Sequence, residues 1–325
     1  MSVPRLIVIG AGHMGALHAG KVAAFAEQGR VVFTGVADLE ADRAAAAVPA
    51  GVRVEKDFRA LLDSADAAIV AVPTVYHFEV VEQVLLNGLD VLVEKPITAS
   101  LSQARKLLDA ASAAGRVLQV GHLEWFNPAM RTVESLVTSP RFFEAHRLGP
   151  FPARATDVDV VRDLMIHDLD IVQRILGEEP TQIDAIGVPV LTDEVDIANA
   201  RLHFPGGCVA NFTASRVSVT PVRKVRFFQP DGYFSLDFLE RNVTIARRTG
   251  AGKGAERAVD LQQHAIDRND ALEVQLSFFL DALRTREVPA GAGNDALAAL
   301  QTALRVIDAM PPLRLPGDTD PPARD

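Results

Sequence analysis

The sequence predicts an α/β chain in two parts: a doubly wound parallel sheet, then an α+β half with an open, mostly antiparallel sheet. Three observations predict it. Up to about residue 120, short apolar runs alternate with helical stretches, the pattern of strands joined by crossover helices. The first run meets a glycine-rich turn, Gly10-Ala11-Gly12-His13-Met14-Gly15, before the first helix. Beyond about residue 126 the alternation gives way to successive strand-like runs separated by Pro-Gly and Asp-Gly turns.

Residues 3–9 (VPRLIVI) read as the first strand, and an alanine-rich helix follows to about Gln28. Between them, G-x-G-x-x-G has the strand-to-helix setting of a dinucleotide-binding Rossmann turn. The first glycine permits the tight turn, the second lets backbone approach a pyrophosphate, and the third allows close helix packing. The helix N-terminus adds N–H donors for the phosphate. A second run, Val31 to Ala37, ends at Asp38, 23 residues after Gly15. An acid there accepts hydrogen bonds from the adenosine ribose and repels a 2′-phosphate, so the expected cofactor is NAD rather than NADP. Arg43 nearby works against that preference.

Residues 52–54 read as a short strand, 57–63 as a short helix and 67–72 as a buried strand. Pro73-Thr74-Val75-Tyr76-His77 and a helix to about Asn87 follow, then strand 89–94, helix 100–114 and strand 116–120. In a parallel sheet the loops after Val72, Glu94 and Val120 open on the same edge as the glycine loop. That edge carries Pro73, Thr74, His77, Glu94, Lys95, Gly121 and His122. His77 suits a surface helix start and a place beside the cofactor equally well. The stretch Val91-Leu92-Val93-Glu94-Lys95-Pro96 runs from a buried strand into a charged pair closed by proline, which presents the Lys95 ammonium from stiff backbone. Taken alone, an ordinary Glu-Lys pair at a strand exit accounts for it too.

In the second half, residues 128–138 read as a helix, 141–149 as a strand and 160–176 as a helix closed by Gly177 and Pro180. Strand-like runs follow at 181–189, 194–204, 207–216, 222–229, 232–238 and 241–248, with helices at about 270–285 and 294–310. Residues 250–256 (GAGKGAE) read as a glycine-rich turn without the strand-to-helix frame of a phosphate loop. The expected division is 1–125 for dinucleotide binding, 126–310 for substrate binding and oligomerisation, and 311–325 as an extended or disordered tail with five prolines. A one-sided sheet needs cover on its free face, most simply from another subunit. Val209, Phe212, Val225 and Phe227 are suited to burial there or against the helices.

The helix at 160–176 carries a second chemical signal. Asp163, His167 and Asp170 stand at i, i+4 and i+7 and so share one face, while the rest of the circumference is largely apolar. Such a stripe faces a cleft or a partner, or it is a solvated face with routine ion pairs. A metal site has little support, since no other ligand cluster accompanies it.

Composition bounds the rest. The chain has 325 residues, 48% apolar and 23% charged, with a net charge of −9 that argues against a nucleic-acid surface. One cysteine, Cys208, rules out an internal disulfide framework and suits a reducing compartment. Ser2 to Gly10 lead straight into a strand, so no signal peptide is expected, and no apolar run reaches the ~20 residues of a membrane span. The expectation is a soluble, cytoplasmic protein.

GAGHMG, VEKP, the Gly121-His122 pair and D-x-x-x-H-x-x-D, in this order, resemble the glucose-fructose oxidoreductase/inositol dehydrogenase/MocA (Gfo/Idh/MocA) family, from Pro4 to about Ala309. The resemblance implies an N-terminal Rossmann domain, a C-terminal sheet that often mediates dimers or tetramers, and NAD-dependent oxidation of a CH–OH group. It makes Lys95 the lysine of the family's E-K-P motif, and Asp163 and His167 its active-site Asp and His. His167 is then the expected general base, Lys95 the group that stabilises the developing alkoxide, and Asp163 a residue that orients the histidine or the sugar. The reverse assignment of Lys95 and His167 stays open. Glu94 is placed to anchor Lys95 or the nicotinamide ribose.

The segments Gly121–Pro128 and Thr156–Asp168 further resemble the family's UDP-N-acetylglucosamine 3-dehydrogenases, whose 3-keto product a PLP-dependent aminotransferase converts to a 3-amino sugar for lipid A or surface polysaccharide. Trp125 stands where that subgroup has arginine. Arg131, Arg147, Arg154 and Arg162 are then the spare cations, with Arg154 and Asn127 the residues expected to touch the substrate. The family alternatives are a free-sugar or inositol dehydrogenase and a non-catalytic dinucleotide sensor.

Overall fold

The computed structural model describes residues 3–151, 158–249, 258–266, 270–287 and 293–312. The glycine-rich turn at 250–256, Arg154 and nearly all of the tail lie outside the described residues.

Six parallel strands form the first sheet: β1 (Arg5–Ile9), β2 (Val32–Ala37), β3 (Arg53–Glu55), β4 (Ala67–Val70), β5 (Asp90–Glu94) and β6 (Leu118–Gly121). Their order is β3-β2-β1-β4-β5-β6, every neighbour parallel. The chain reverses its winding between β1 and β4, the switch point where such sheets bind ligands outside the strand ends. Strands β4 and β5 are buried throughout, as a sheet covered on both faces requires. The crossover helices include α1 (His13–Glu27), α2 (Ala41–Ala46), α3 (His77–Leu86) and α4 (Leu101–Ala113).

The cover also comes from the far end of the chain. Helix α7 (Ala271–Thr285) places Leu276, Phe279, Leu280 and Leu283 in one core with Leu6, Val8, Phe25 and Leu92. Arg286, just past it, donates to both carboxylate oxygens of Asp90 on β5, at 2.8 and 2.7 Å. The first unit therefore takes in a segment that the sequence reading gave to 126–310.

The second sheet has eight strands, in the order β14-β13-β12-β11-β7-β10-β9-β8. They are β7 (Phe142–Leu148), β8 (Gln182–Val188), β9 (Ile197–His203), β10 (Val209–Ser215), β11 (Val222–Gln229), β12 (Gly232–Asp237), β13 (Asn242–Thr249) and β14 (Ala258–Ala265). All pairs are antiparallel except β7 with β10. Period-two burial gives an inner face of Phe143, Ala145, Ala200, Leu202, Phe212, Val225 and Phe227, packed under α5 (Pro128–Glu134), α6 (Ile166–Leu176) and α8 (Gly293–Asp308). Val209 lies on the opposite, outer face, where Phe142, Phe228 and Tyr233 stack.

Strand β14 is absent from the sequence reading because AVDLQQHA alternates weakly, and as an edge strand it pairs on one side only. The helix begun at Pro128 ends at Glu134, short of the expected 138. The helix read over 160–176 is really two pieces, a π-helical turn at Val161–Met165 followed by α6.

A candidate active site between the two sheets

The glycine loop fits a dinucleotide. Gly10 has φ +91°, and a Cβ on Gly15 would lie 1.9 Å from the Gly10 carbonyl oxygen, so the loop and α1 touch only because both are glycine. Gly12, in contrast, faces open space, and α1 starts without a side-chain cap or an acidic residue in its first turn. Its leading N–H groups are free for a diphosphate. A cleft of about 940 Å³ runs from there along the strand ends, lined by Gly10, Gly12, Met14, Asp38, Pro73, Thr74, His77, Glu94 and Lys95 among others. His13 is exposed beyond the lining, and Gly15 is spent on packing. At the adenosine end Asp38 accepts from the Ala11 and Glu40 N–H groups and from Arg43 through two bonds. Burial opposes its ionisation, but Arg43 and the backbone donors outweigh it and hold the carboxyl below its ordinary range.

At the other end stand Glu94 and Lys95. Glu94 is buried, and the His18 ring of α1 donates to it through Nε2 at 2.7 Å. Although burial works against ionisation, that bond, with Lys95 alongside, keeps the Glu94 carboxyl below its ordinary range. Gly121 makes the room: a Cβ on it would sit 3.0 Å from the Glu94 carboxylate. His77 is not at the surface. Its ring spans the carbonyls of Val72 (2.9 Å) and Pro96 (2.8 Å), tying the loops after β4 and β5 together, with the Lys95-Pro96 peptide cis.

Lys95 reaches across to the second unit. Its Nζ donates to the Asp163 carbonyl at 2.8 Å and to Asp163 Oδ1 at 3.1 Å. Asp163 is in the π turn, where the widened backbone bonding leaves a carbonyl available to a side chain from outside. The turn is braced on its entry side by buried charge. Asp159 accepts from the Val161 and Arg162 N–H groups, while buried Arg216 donates to Asp196 at 2.7 Å and to the Val158 carbonyl at 2.6 Å.

His167 follows one turn on, half-buried. Its Nδ1 is enclosed without a hydrogen-bond partner, so Nε2 is the nitrogen left for a substrate. Burial first, then the positive charge of Lys95 and Arg147, holds this imidazole well below its ordinary range, so it is neutral near pH 7. Behind it lies His122, fully buried, its ring centroid 6.5 Å from that of His167. Asp170 does not join the stripe in the cleft. It is buried against Arg174 (2.8 Å) and 3.7 Å from His122 Nδ1.

The expected substrate contacts fare unevenly. Asn127 caps α5, its side chain accepting from the Ala129 N–H at 3.0 Å. Arg131 pairs with Glu134 and donates to the Trp125 carbonyl, Arg162 pairs with Asp159, and buried Arg147 joins Glu124 and Asp168. None of these three is a spare cation. Trp125 is buried, with the guanidinium groups of Arg131 and Arg174 5.1 and 5.2 Å from its ring centroid. The sequence reading missed His18, whose signal is its place on α1 just behind the glycine loop, and the clamp of Arg43 on Asp38. Among the described residues, no group of three or more His, Cys, Asp or Glu side chains is arranged to hold a metal, and no helix is long and apolar enough to cross a membrane.

Comparison with known proteins meets this geometry. Residues 5–122 match the oxidoreductase family with an NAD-binding Rossmann fold, and residues 130–234 match the Gfo/Idh/MocA C-terminal domain. The chain belongs to the Gfo/Idh/MocA family. A UDP-N-acetylglucosamine 3-dehydrogenase from Acidithiobacillus ferrooxidans is 37% identical over 306 residues, 93% of this chain and 96% of the relative. Its solved structure superposes with a TM-score of 0.87 at 36% identity, covering 94% of this chain and 97% of that one. An inositol 2-dehydrogenase from Rhizobium meliloti is 26% identical over 315 residues, 92% of this chain and 94% of the relative. As in that family, the protein is an oxidoreductase acting on a CH–OH group, with NAD as its cofactor. The free N-terminus of α1, the open space at Gly12 and the carboxylate at Asp38 fit that cofactor.

Proposed function

We propose that the protein oxidises the 3-hydroxyl of UDP-N-acetylglucosamine to a 3-keto sugar. The observation that carries this is the joining of Lys95, at the nicotinamide end of the cofactor cleft, to Asp163 beside a neutral His167, in a chain similar to a UDP-N-acetylglucosamine 3-dehydrogenase through both units. Bound NAD supplies the hydride acceptor. The protein's own groups manage the proton and the charge. His167 Nε2, unprotonated at neutral pH, takes the hydroxyl proton. The Lys95 ammonium, held in place by Asp163, donates to the same oxygen as negative charge builds there. Buried Glu94 fixes the backbone from which Lys95 projects, and the Arg147 ion-pair cluster fixes α6 through Asp168.

A 3-keto product is electrophilic at carbon 3, so the reaction that consumes it is an amine transfer by a PLP-dependent aminotransferase. The 3-amino sugar then enters lipid A or surface-polysaccharide synthesis, in the cytoplasm. The outer face of the second sheet, with Phe142, Phe228 and Tyr233 stacked on it, supports pairing with another copy of the chain. The test of the substrate is direct. UDP-N-acetylglucosamine is expected to raise the melting temperature and to yield NADH at 340 nm with an aminotransferase present to pull the equilibrium, while inositol and free N-acetylglucosamine do neither. Turnover of inositol or a free sugar in place of the nucleotide sugar overturns the proposal.

A further inference from the structure

The diphosphate of a nucleotide sugar is anionic, and a cation near the reacting centre without a counter-ion of its own is one means of selecting it. Arg131, Arg147 and Arg162 are all committed to carboxylates. Arg223 is different. It lies near the start of β11, directly opposite Arg147 in the antiparallel register with β7, and opposed residues share a face of the sheet. That face is the inner one, since Val225 and Phe227, further along the same strand, are fully buried on it. Arg147 uses the face to reach Asp168, the residue after His167. Arg223 is the second residue of β11. It is exposed, and its guanidinium makes no hydrogen bond or ion pair with any described residue. The other cations of the strand, Lys224 and Arg226, point to the outer face and are paired with Asp237 and Glu144. The positive charge of Arg223 is also one of those felt at the His167 ring, which places it within electrostatic reach of that ring.

We propose that Arg223 is a specificity-determining residue that receives the diphosphate of the substrate. The inference rests on the nucleotide-sugar reading of the site. A planar guanidinium can meet two phosphate oxygens at once, which a lysine cannot, and the absence of a carboxylate partner leaves that fork free. The residue would act on affinity and orientation while Lys95 and His167 act on the hydroxyl, so its effect should fall more on KM than on kcat.

The experiment measures KM and kcat for UDP-N-acetylglucosamine with wild type, Arg223→Gln and Arg223→Lys. Calorimetry on the same proteins follows UDP and NAD. Arg223→Gln is expected to raise KM, and to weaken UDP binding, on the order of 10-fold or more, as the loss of a charge-assisted bond does. NAD binding should persist, which shows the variant folded, and Arg223→Lys should fall between. Wild-type affinity of Arg223→Gln for UDP and for the nucleotide sugar overturns the role of Arg223 while leaving the substrate standing. A loss of NAD affinity as large as the loss of UDP affinity also overturns it, since that marks a disturbed cleft instead of a lost phosphate contact. Wild-type protein that binds neither UDP nor the nucleotide sugar overturns both the substrate and the arginine.

Discussion

The two sides of the cleft are built by different means. On the cofactor side, each working residue stands at the end of its own strand and is set mainly by where that strand ends, with the His18 bond to Glu94 as a longer-range brace: the glycine loop after β1, Asp38 after β2, Glu94 and Lys95 at β5. On the substrate side, Asp163 and His167 sit on a distorted helix held by long-range ion pairs, with Arg147 from β7 and Arg216 from the end of β10. A side built from local geometry tolerates change everywhere except at the contact itself. A side built from braces should respond to changes far from the substrate.

The largest expected effect is where the two sides join. Lys95→Ala removes the ammonium that spans them, and turnover should fall on the order of 10²-fold or more, with NAD binding retained because the glycine loop is untouched. His167→Asn should act similarly, and the double variant should be little worse than the worse single one, because both groups serve one transition state. Single-turnover NADH formation beside NAD calorimetry reads both quantities. Wild-type turnover of Lys95→Ala with any accepted substrate would show that the join is not the catalytic centre.

Gly15→Ala probes the local side alone. Its Cβ would lie 1.9 Å from a backbone oxygen, so the loop must move away from α1. A destabilisation of roughly 1–3 kcal/mol is expected, in line with overpacking, together with loss of NAD affinity. Denaturant unfolding with and without NAD checks it, and a variant that keeps both wild-type stability and wild-type NAD affinity would show that this contact does not set the loop.

The same contrast governs what could be read from the sequence. G-x-G-x-x-G, Asp38 and E-K-P lie at strand ends, so a pattern of apolar runs and glycines located them directly. The second side was legible only in its helix. The spacing of Asp163, His167 and Asp170 assumes a regular helix, but the π turn and the burial of Asp170 against Arg174 break the stripe. Arginines that look free in a sequence found carboxylates that are distant in it: Arg147 meets Asp168, and Arg216 meets Asp196. The packing of α7 under the first sheet was hidden for a related reason, since its partners are remote in the chain, whereas β14, which pairs with the strand just before it, was hidden by its weak alternation.

A smaller effect should appear with pH, and it comes from both sides. His167, His122 and His77 are held below the ordinary imidazole range, chiefly by burial. The unfolded chain takes up their protons near the ordinary value of ~6.5, while the native protein does so only at lower pH. Stability is therefore full above ~6.5 and falls as pH drops below it, by at most about 1.4 kcal/mol per pH unit for each group. The His167→Asn variant should lose less stability than wild type between pH 7 and pH 5.5 in urea unfolding. In the wild type, kcat/KM should stay level down to about 6.5, with its acid limb lower still. An acid limb above 6.5 would remove His167 as the neutral base.

The smallest effect is the choice between NAD and NADP, and it shows that even the local side has one competing contact. Asp38 accepts four bonds: from the Ala11 and Glu40 N–H groups and twice from Arg43. A carboxylate offers about four lone-pair directions, so the ribose hydroxyls gain full access only when Arg43 swings aside. Arg43 also offsets the charge by which Asp38 repels a 2′-phosphate. The preference for NAD should therefore be modest, on the order of 10-fold, the size of one charge-assisted hydrogen bond. Arg43→Ala should sharpen it by freeing Asp38, and Asp38→Ser should erase or reverse it by releasing Arg43 toward the phosphate. Calorimetry with NADH and NADPH on the three proteins gives the answer. Equal affinities in the wild type, or an Asp38→Ser variant that keeps the wild-type preference, would mean that selection is made elsewhere along the cleft.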